Sequence, residues 1–109
     1  MQKLIALLVL ALSSVTIHAQ GVWTQENIDP DTGLRTGVIE VNGGIYDIAP
    51  GANLTSAALR GADLSRANLS GANLSGVFLM NADLRDANLI WADFSRAVML
   101  GTNFSGADF

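Results

Sequence analysis

From Ala52 to Phe109 the sequence falls into fives: ANLTS (52–56), AALRG (57–61), ADLSR (62–66), ANLSG (67–71), ANLSG (72–76), VFLMN (77–81), ADLRD (82–86), ANLIW (87–91), ADFSR (92–96), AVMLG (97–101), TNFSG (102–106) and ADF (107–109). The third place is always large and apolar: Leu54, Leu59, Leu64, Leu69, Leu74, Leu79, Leu84, Leu89, Phe94, Met99, Phe104 and Phe109. The first place is alanine except at Val77 and Thr102. Such a repeat is read before any other signal, because it decides the architecture.

A period of five does not fit a helix. Each repeat would carry its leucine about 140° past a full turn, so no face would collect the apolar residues. In an extended chain, residues two apart share a face, which puts the alanine and leucine of each repeat on one side. Five is odd, so the chain must bend once per repeat to keep that side inward. Gly61, Gly71, Gly76, Gly101 and Gly106, all at the fifth place, supply bend chemistry. Short extended segments with regular corners make an all-β solenoid, with the twelve large residues as its core ladder.

The second place is Asn or Asp in nine of the twelve repeats, and the exceptions, Ala58, Phe78 and Val98, are twenty residues apart. Four repeats per coil would stack those exceptions on one side. The motif A-[DN]-L-x-x closely resembles that of the pentapeptide-repeat family, over Ala52 to Phe109. The resemblance implies a right-handed, four-sided β-helix of about three coils, with the first and third places of each repeat inward and the other three facing solvent. At about 4.8 Å per coil, that shaft is about 15 Å tall.

The chain of 109 residues carries a net charge of −4 and has no cysteine. Met1-Gln2-Lys3, the apolar run Leu4 to Leu12, and Ser13 to Ala19 have the layout of a secretory signal peptide. We expect it to be helical and to be cleaved between Ala19 and Gln20, giving a periplasmic or secreted protein. Nine apolar residues are too few to span a bilayer, which takes roughly 20. Without a cysteine, a lipid anchor at the cleavage site is excluded. Lys3 is the only lysine and His18 the only histidine. The segment after Ala19 therefore offers Asp, Glu, Ser, Thr, Tyr46 and Arg for catalysis, and neither His nor Cys for a transition metal. No cofactor is expected, and the chain reads as non-enzymatic.

Residues 20–51 form a second unit without the five-residue period. Val38 to Val41, Asn42-Gly43-Gly44 and Ile45 to Ile48 read as a β-hairpin, because Asn-Gly tolerates the positive φ of a tight turn. Pro50-Gly51 then admits the chain to the first coil. A hairpin here caps the unpaired end of a solenoid, with Trp23 covering the first core layer. Asn27, Asp29 and Asp31 alternate as in a calcium loop, but the glycine and the closing carboxylate are out of place. A solvated Asp-Pro-Asp-Thr-Gly turn is the better reading.

The Asn-x-Ser/Thr tripeptides are by-products of the repeat. Asp63 and Asp83 stack at a spacing that invites comparison with glycosidase carboxylates, but a flat wall offers no cleft, so a carbohydrate-active protein is a remote alternative. Arg85 is the simpler partner for Asp83. Some pentapeptide-repeat proteins mimic DNA and bind topoisomerases. The repeats here hold five aspartates against four arginines, too few for an anionic mimic, and export points away from that target. There is no basic stripe for nucleic acid, and no membrane insertion is expected once the leader is removed. The notable feature is the exceptional side. Phe78, Met80, Val98 and Leu100 fall at solvent positions, continued by Ala58 and Arg60, and suggest a contact face. The expected function is a structural or protein-interaction module whose partner is an unknown protein. The alternative is a self-assembling solenoid, or a fragment of a longer array. The bulkier last coil, ending on inward Phe109, predicts an open aromatic edge that pairs end to end or continues into further repeats.

Overall fold

A computed structural model describes residues 21–109. The expected leader and its expected cleavage site lie outside these residues. Among the described residues no helix occurs, and hence none long and apolar enough to cross a membrane.

The corner of each repeat is made in the same way throughout. The carbonyl of the third residue accepts a hydrogen bond from the N–H of the next repeat's first residue, as in Ala57 to Leu54 at 3.1 Å and Ala82 to Leu79 at 2.9 Å. The fifth residue is left-handed at every corner from Gly51 to Gly106, as the third position of a type II turn requires. Six of these twelve positions are glycine; the others are Ser56, Arg66, Asn81, Asp86, Trp91 and Arg96. Glycine is therefore the cheapest corner residue but not a required one.

Trp91 is the costliest exception. It is 89% exposed, so the ring gains no packing that would offset its φ of 64°. Below it in the same column lies Gly71, where an added Cβ would meet nothing. Trp91→Gly is expected to raise stability by about 1 kcal/mol through relief of the left-handed strain. Urea melts check this, and a lowered midpoint would show that the indole packs after all.

Successive coils are joined by parallel bridges, each spanning twenty residues: Asn53 to Asn73 to Asp93, Ala58 to Phe78 to Val98, Asp63 to Asp83 to Asn103, and Asn68 to Asn88 to Asp108. Four repeats thus separate stacked positions. Within a ladder, Asn73 donates to Ala52 O at 2.9 Å and Leu74 donates to Asp93 O at 2.7 Å. The backbone groups on the two sides of each coil are thereby used in opposite directions.

Eight rungs of the ladder, Leu54 to Leu89, are buried, together with Val77 and the first-place alanines Ala57, Ala62, Ala67, Ala72, Ala82 and Ala87. The last four are not. Phe94 and Phe104 are only half-buried, while Met99 and Phe109 are 39% and 71% exposed. These residues have a layer beneath them and none above among the described residues. The three phenyl rings pack against one another instead, Phe94 on Phe104 edge-on at 6.0 Å and Phe104 on Phe109 at 5.5 Å. Thr102, which replaces an inward alanine, satisfies its hydroxyl by donating to Leu79 O at 2.6 Å.

The segment before the coils is a three-stranded antiparallel sheet in the order β1-β2-β3, comprising β1 (Val22–Ile28), β2 (Arg35–Val41) and β3 (Gly44–Ile48). The expected hairpin of 38–41 and 45–48 is present but longer, and it gains a strand. Asn42 and Gly43 carry φ of 51° and 77° in the two-residue turn, the pattern that Asn-Gly favours. β1 escapes sequence reading because its last five residues are all exposed, so no inward–outward alternation marks it. A bulge between Trp23 and Gln25 breaks its register further. Asn27 is paired with Thr36 within the sheet, while Asp29 Oδ1 accepts the N–H groups of Asp31 and Thr32 at 2.8 and 3.3 Å and shapes the β1–β2 turn. On the inner side, Ile39, Val41 and Ile48 are fully buried and belong to the same core as Leu54 and Leu59.

Candidate functional site: an apolar face and a buried arginine seam

One side of the coils breaks the polar rule. Phe78 is bridged to Ala58 below and Val98 above, which makes one column. The next outward positions, two residues further on, are Arg60, Met80 and Leu100. Phe78, Val98 and Leu100 are exposed by 43%, 38% and 81%, and Met80 is half-buried. Elsewhere the second-place side chains cap their own corners: Asn53, Asp63, Asn68, Asp83 and Asn103 each accept the N–H two residues on, at 3.0–3.3 Å. Ala58, Phe78 and Val98 have no acceptor to offer. This side therefore forgoes the local hydrogen bond that stabilises the others. Ile90 and Trp91 are also exposed, at 39% and 89%, in another repeat of the coil. Their repeat keeps Asn88 at its second place, so the spacing of Ala58, Phe78 and Val98 does not mark it.

The second cluster holds the sheet to the coils. The lower edge of the first coil leaves backbone groups that no further coil pairs, and side chains of the sheet meet them. Tyr46 Oη accepts the Ala58 N–H at 3.1 Å. Asn42 Nδ2 donates to Ala58 O and Arg60 O, both at 3.0 Å. Trp23 Nε1 donates to Asp63 O at 2.9 Å, and Arg35 Nε donates to Ser65 O at 2.8 Å. The Arg35 backbone itself bridges Ala67 in parallel, donating to Arg66 O at 2.7 Å and accepting from Asn68 N at 2.8 Å. It fills the place of a missing coil.

Arg35 is the centre of this seam. It is 6% exposed, and its guanidinium lies 4.4 Å from the Trp23 ring centroid. Glu26 and Asp63 supply carboxylates at 3.0 and 3.1 Å. A buried cation with two counter-charges, a carbonyl and an aromatic face is well solvated by protein. Sequence reading missed it, although Arg35 is the single arginine in an otherwise acidic segment.

Asp63 and Asp83 are bridged neighbours, and both carboxylates have partners already. Asp63 Oδ1 holds Arg35 and the Ser65 hydroxyl at 3.1 and 2.7 Å. Asp83 is gripped by Arg85, with Nη2 at 2.6 Å from Oδ2 and Nε at 2.9 Å from Oδ1. The side-chain hydrogen bond from Arg85 holds the Asp83 carboxyl below the usual carboxylate range, against a partial desolvation that pushes it up. A depressed folded-state value means that this pair contributes above the ordinary carboxylate range and is lost as pH falls through the depressed one. Both groups lie at the surface, so the effect is small. Among the described residues, no cluster of His, Cys, Asp and Glu is arranged to hold a metal. A shallow, open groove runs along the corner column of Thr55, Ser56, Ser75, Gly76, Ser95 and Arg96.

The family model for pentapeptide repeats matches residues 51–86 and 82–109, in eight copies. No curated protein matches the chain. With Gly51 already donating to Ser70 O, the matched region coincides with the coiled backbone, and the chain belongs to the pentapeptide-repeat family.

Proposed function

We propose that this protein is an exported, non-enzymatic structural or protein-interaction module. In this reading, residues 52–109 are a right-handed, four-sided β-helix, residues 20–51 are its cap, and the side bearing Phe78, Met80, Val98 and Leu100 is the contact face. The observation that carries it is the exposure of Phe78, Val98 and Leu100 on one side of the coils, where other sides present capping Asn and Asp. Apolar side chains clustered at solvent positions mark a surface that gains by being covered. The paired state of Asp63 and Asp83 favours structural roles for the two residues over the carbohydrate-active alternative.

Phe78→Ser combined with Leu100→Ser is expected to leave the melting midpoint within a degree or two, because neither side chain enters the core. The same variant should lose association by removing apolar area from the contact. Pull-down from periplasm or culture medium with wild type and variant reads this out. Equal retention of every partner by both proteins, or a variant that unfolds, defeats the proposal.

A second reading is favoured by the last coil, where Met99 and Phe109 are exposed above a phenyl cluster. An edge of this kind accepts a further coil or the corresponding edge of another copy. Adding a polar cap after Phe109 should raise stability and abolish any end-to-end dimer. A monomer whose stability the cap leaves unchanged would show that the phenyl layer closes the coils unaided.

A further inference from the structure

We infer that the apolar face of the coils docks the outer face of the cap sheet of a second copy of this chain; this rests on reading that face as a contact surface. The first observation is a charge pattern. The three stacked repeats of the face, 57–61, 77–81 and 97–101, contain no carboxylate, although the chain as a whole carries −4. Their one charged residue is Arg60, directly below the apolar column. Arg96 stands at the corner leading into the face, two residues before Val98. Both arginines are exposed, and neither has a carboxylate within ion-pair distance among the described residues. The face is an apolar block with free cations on its margin.

The complementary pattern lies on the cap. Ile39, Val41 and Ile48 point into the core and Tyr46 reaches the first coil, so alternation turns Val38, Glu40, Ile45 and Asp47 outward. Register pairs Val38 with Asp47 and Glu40 with Ile45 across β2 and β3. Ile45 is 72% exposed, and neither Glu40 nor Asp47 has an ion-pair partner among the described residues. This surface is apolar with free anions. Both patches are thus apolar, and the charges on their margins are of opposite sign. Opposite charges on the margins of two apolar patches set their register and speed their encounter.

The two patches are different surfaces of one chain, so the contact is of a head-to-tail kind. It either closes reciprocally in a dimer or extends as a chain of copies. Each patch is only a few side chains wide, which places the contact in the weak, transient class. Its strength should fall with added salt as the marginal charges are screened.

Charge exchange tests this. Sedimentation equilibrium of the purified protein, up to about 1 mM and at low ionic strength, should show mass rising above the monomer with concentration. Glu40→Arg with Asp47→Arg should weaken that association by about tenfold, and Arg60→Glu with Arg96→Glu by a similar factor. Mixing the two reversed proteins should restore association, because one then carries a basic cap and the other an acidic face. A wild type that stays monomeric throughout overturns the inference, as does association that both reversals leave untouched, the behaviour of end-to-end pairing. Loss of a foreign partner by Phe78→Ser with Leu100→Ser, in a protein that never self-associates, would overturn this inference while leaving the contact-face reading intact.

Discussion

Leu79→Ala and Leu84→Ala are each expected to destabilise the fold by about 2–5 kcal/mol, the transfer energy of the lost side chain plus the cavity left behind. Both leucines are fully buried in the middle of the ladder, with inward residues of adjacent coils above and below. Collapse into the hole is resisted because the neighbouring coils are held by inter-coil hydrogen bonds, such as Leu79 N to Val98 O at 2.8 Å and Leu84 N to Asn103 O at 2.8 Å. Ser75→Ala, at an outward position, should cost far less, since its N–H bond to Asn73 Oδ1 uses the backbone and survives the change. Equilibrium urea unfolding of the three variants separates these outcomes. Similar losses at Leu84 and Ser75 would overturn the inward–outward assignment. A Phe109→Ala change should fall between them, because that ring has partners on one side only.

The next largest loss is expected at the seam. Arg35→Ala removes one cation from two carboxylates, the Ser65 carbonyl and the Trp23 ring together. Removing one partner of a buried pair is costly mainly when the other is left charged and dry. Here Glu26 and Asp63 are 33% and 49% exposed, so water can resolvate them after the change. Roughly 3 kcal/mol is therefore expected, most of it from the orphaned carbonyl and the lost contact with the indole. Arg85→Ala, which removes a surface pair with Asp83 alone, should barely move the melt. The two variants differ in burial and in the number of partners lost. If they melt together, the seam is not what fastens the cap to the coils. Arg35→Lys should recover little, because an ammonium cannot reach Ser65, Glu26 and Asp63 as a planar fork does.

The coils were legible because the repeat restates itself. Twelve inward positions with one rule each leave no competing register, and the spacing of Ala58, Phe78 and Val98 gave the twenty residues that the bridges also span. The seam was not legible, because its members lie in different units and share no spacing: Trp23, Glu26 and Arg35 in the sheet, Asp63 and Ser65 in the first coil. Asp63 illustrates the difficulty. Within the repeat it is one more second-place residue capping its own corner, and only the arrival of Arg35 distinguishes it from Asp83. β1 was hidden for another reason. A strand that is exposed along most of its length has no pattern to announce it, and its place depends on hydrogen bonds to β2. The end of the ladder shows the converse limit, since Met99 obeys the inward rule of its repeat yet remains exposed for want of a neighbour above.

The left-handed corners have a consequence for how mutations combine. An added Cβ at Gly101 would collide with the Asn81 carboxamide oxygen, and one at Gly106 with the Asp86 carboxylate, in each case the corner residue one coil below. Those side chains fold against the glycine that follows them by twenty residues. Gly101→Ala should therefore be more harmful beside Asn81 than beside Asn81→Gly, and the double change should cost less than the sum of its parts. Helical proteins show such epistasis between residues three or four apart; here it would run with a period of twenty. Selection on a corner would then be felt in the adjacent coil before it is felt by the next residue in the chain.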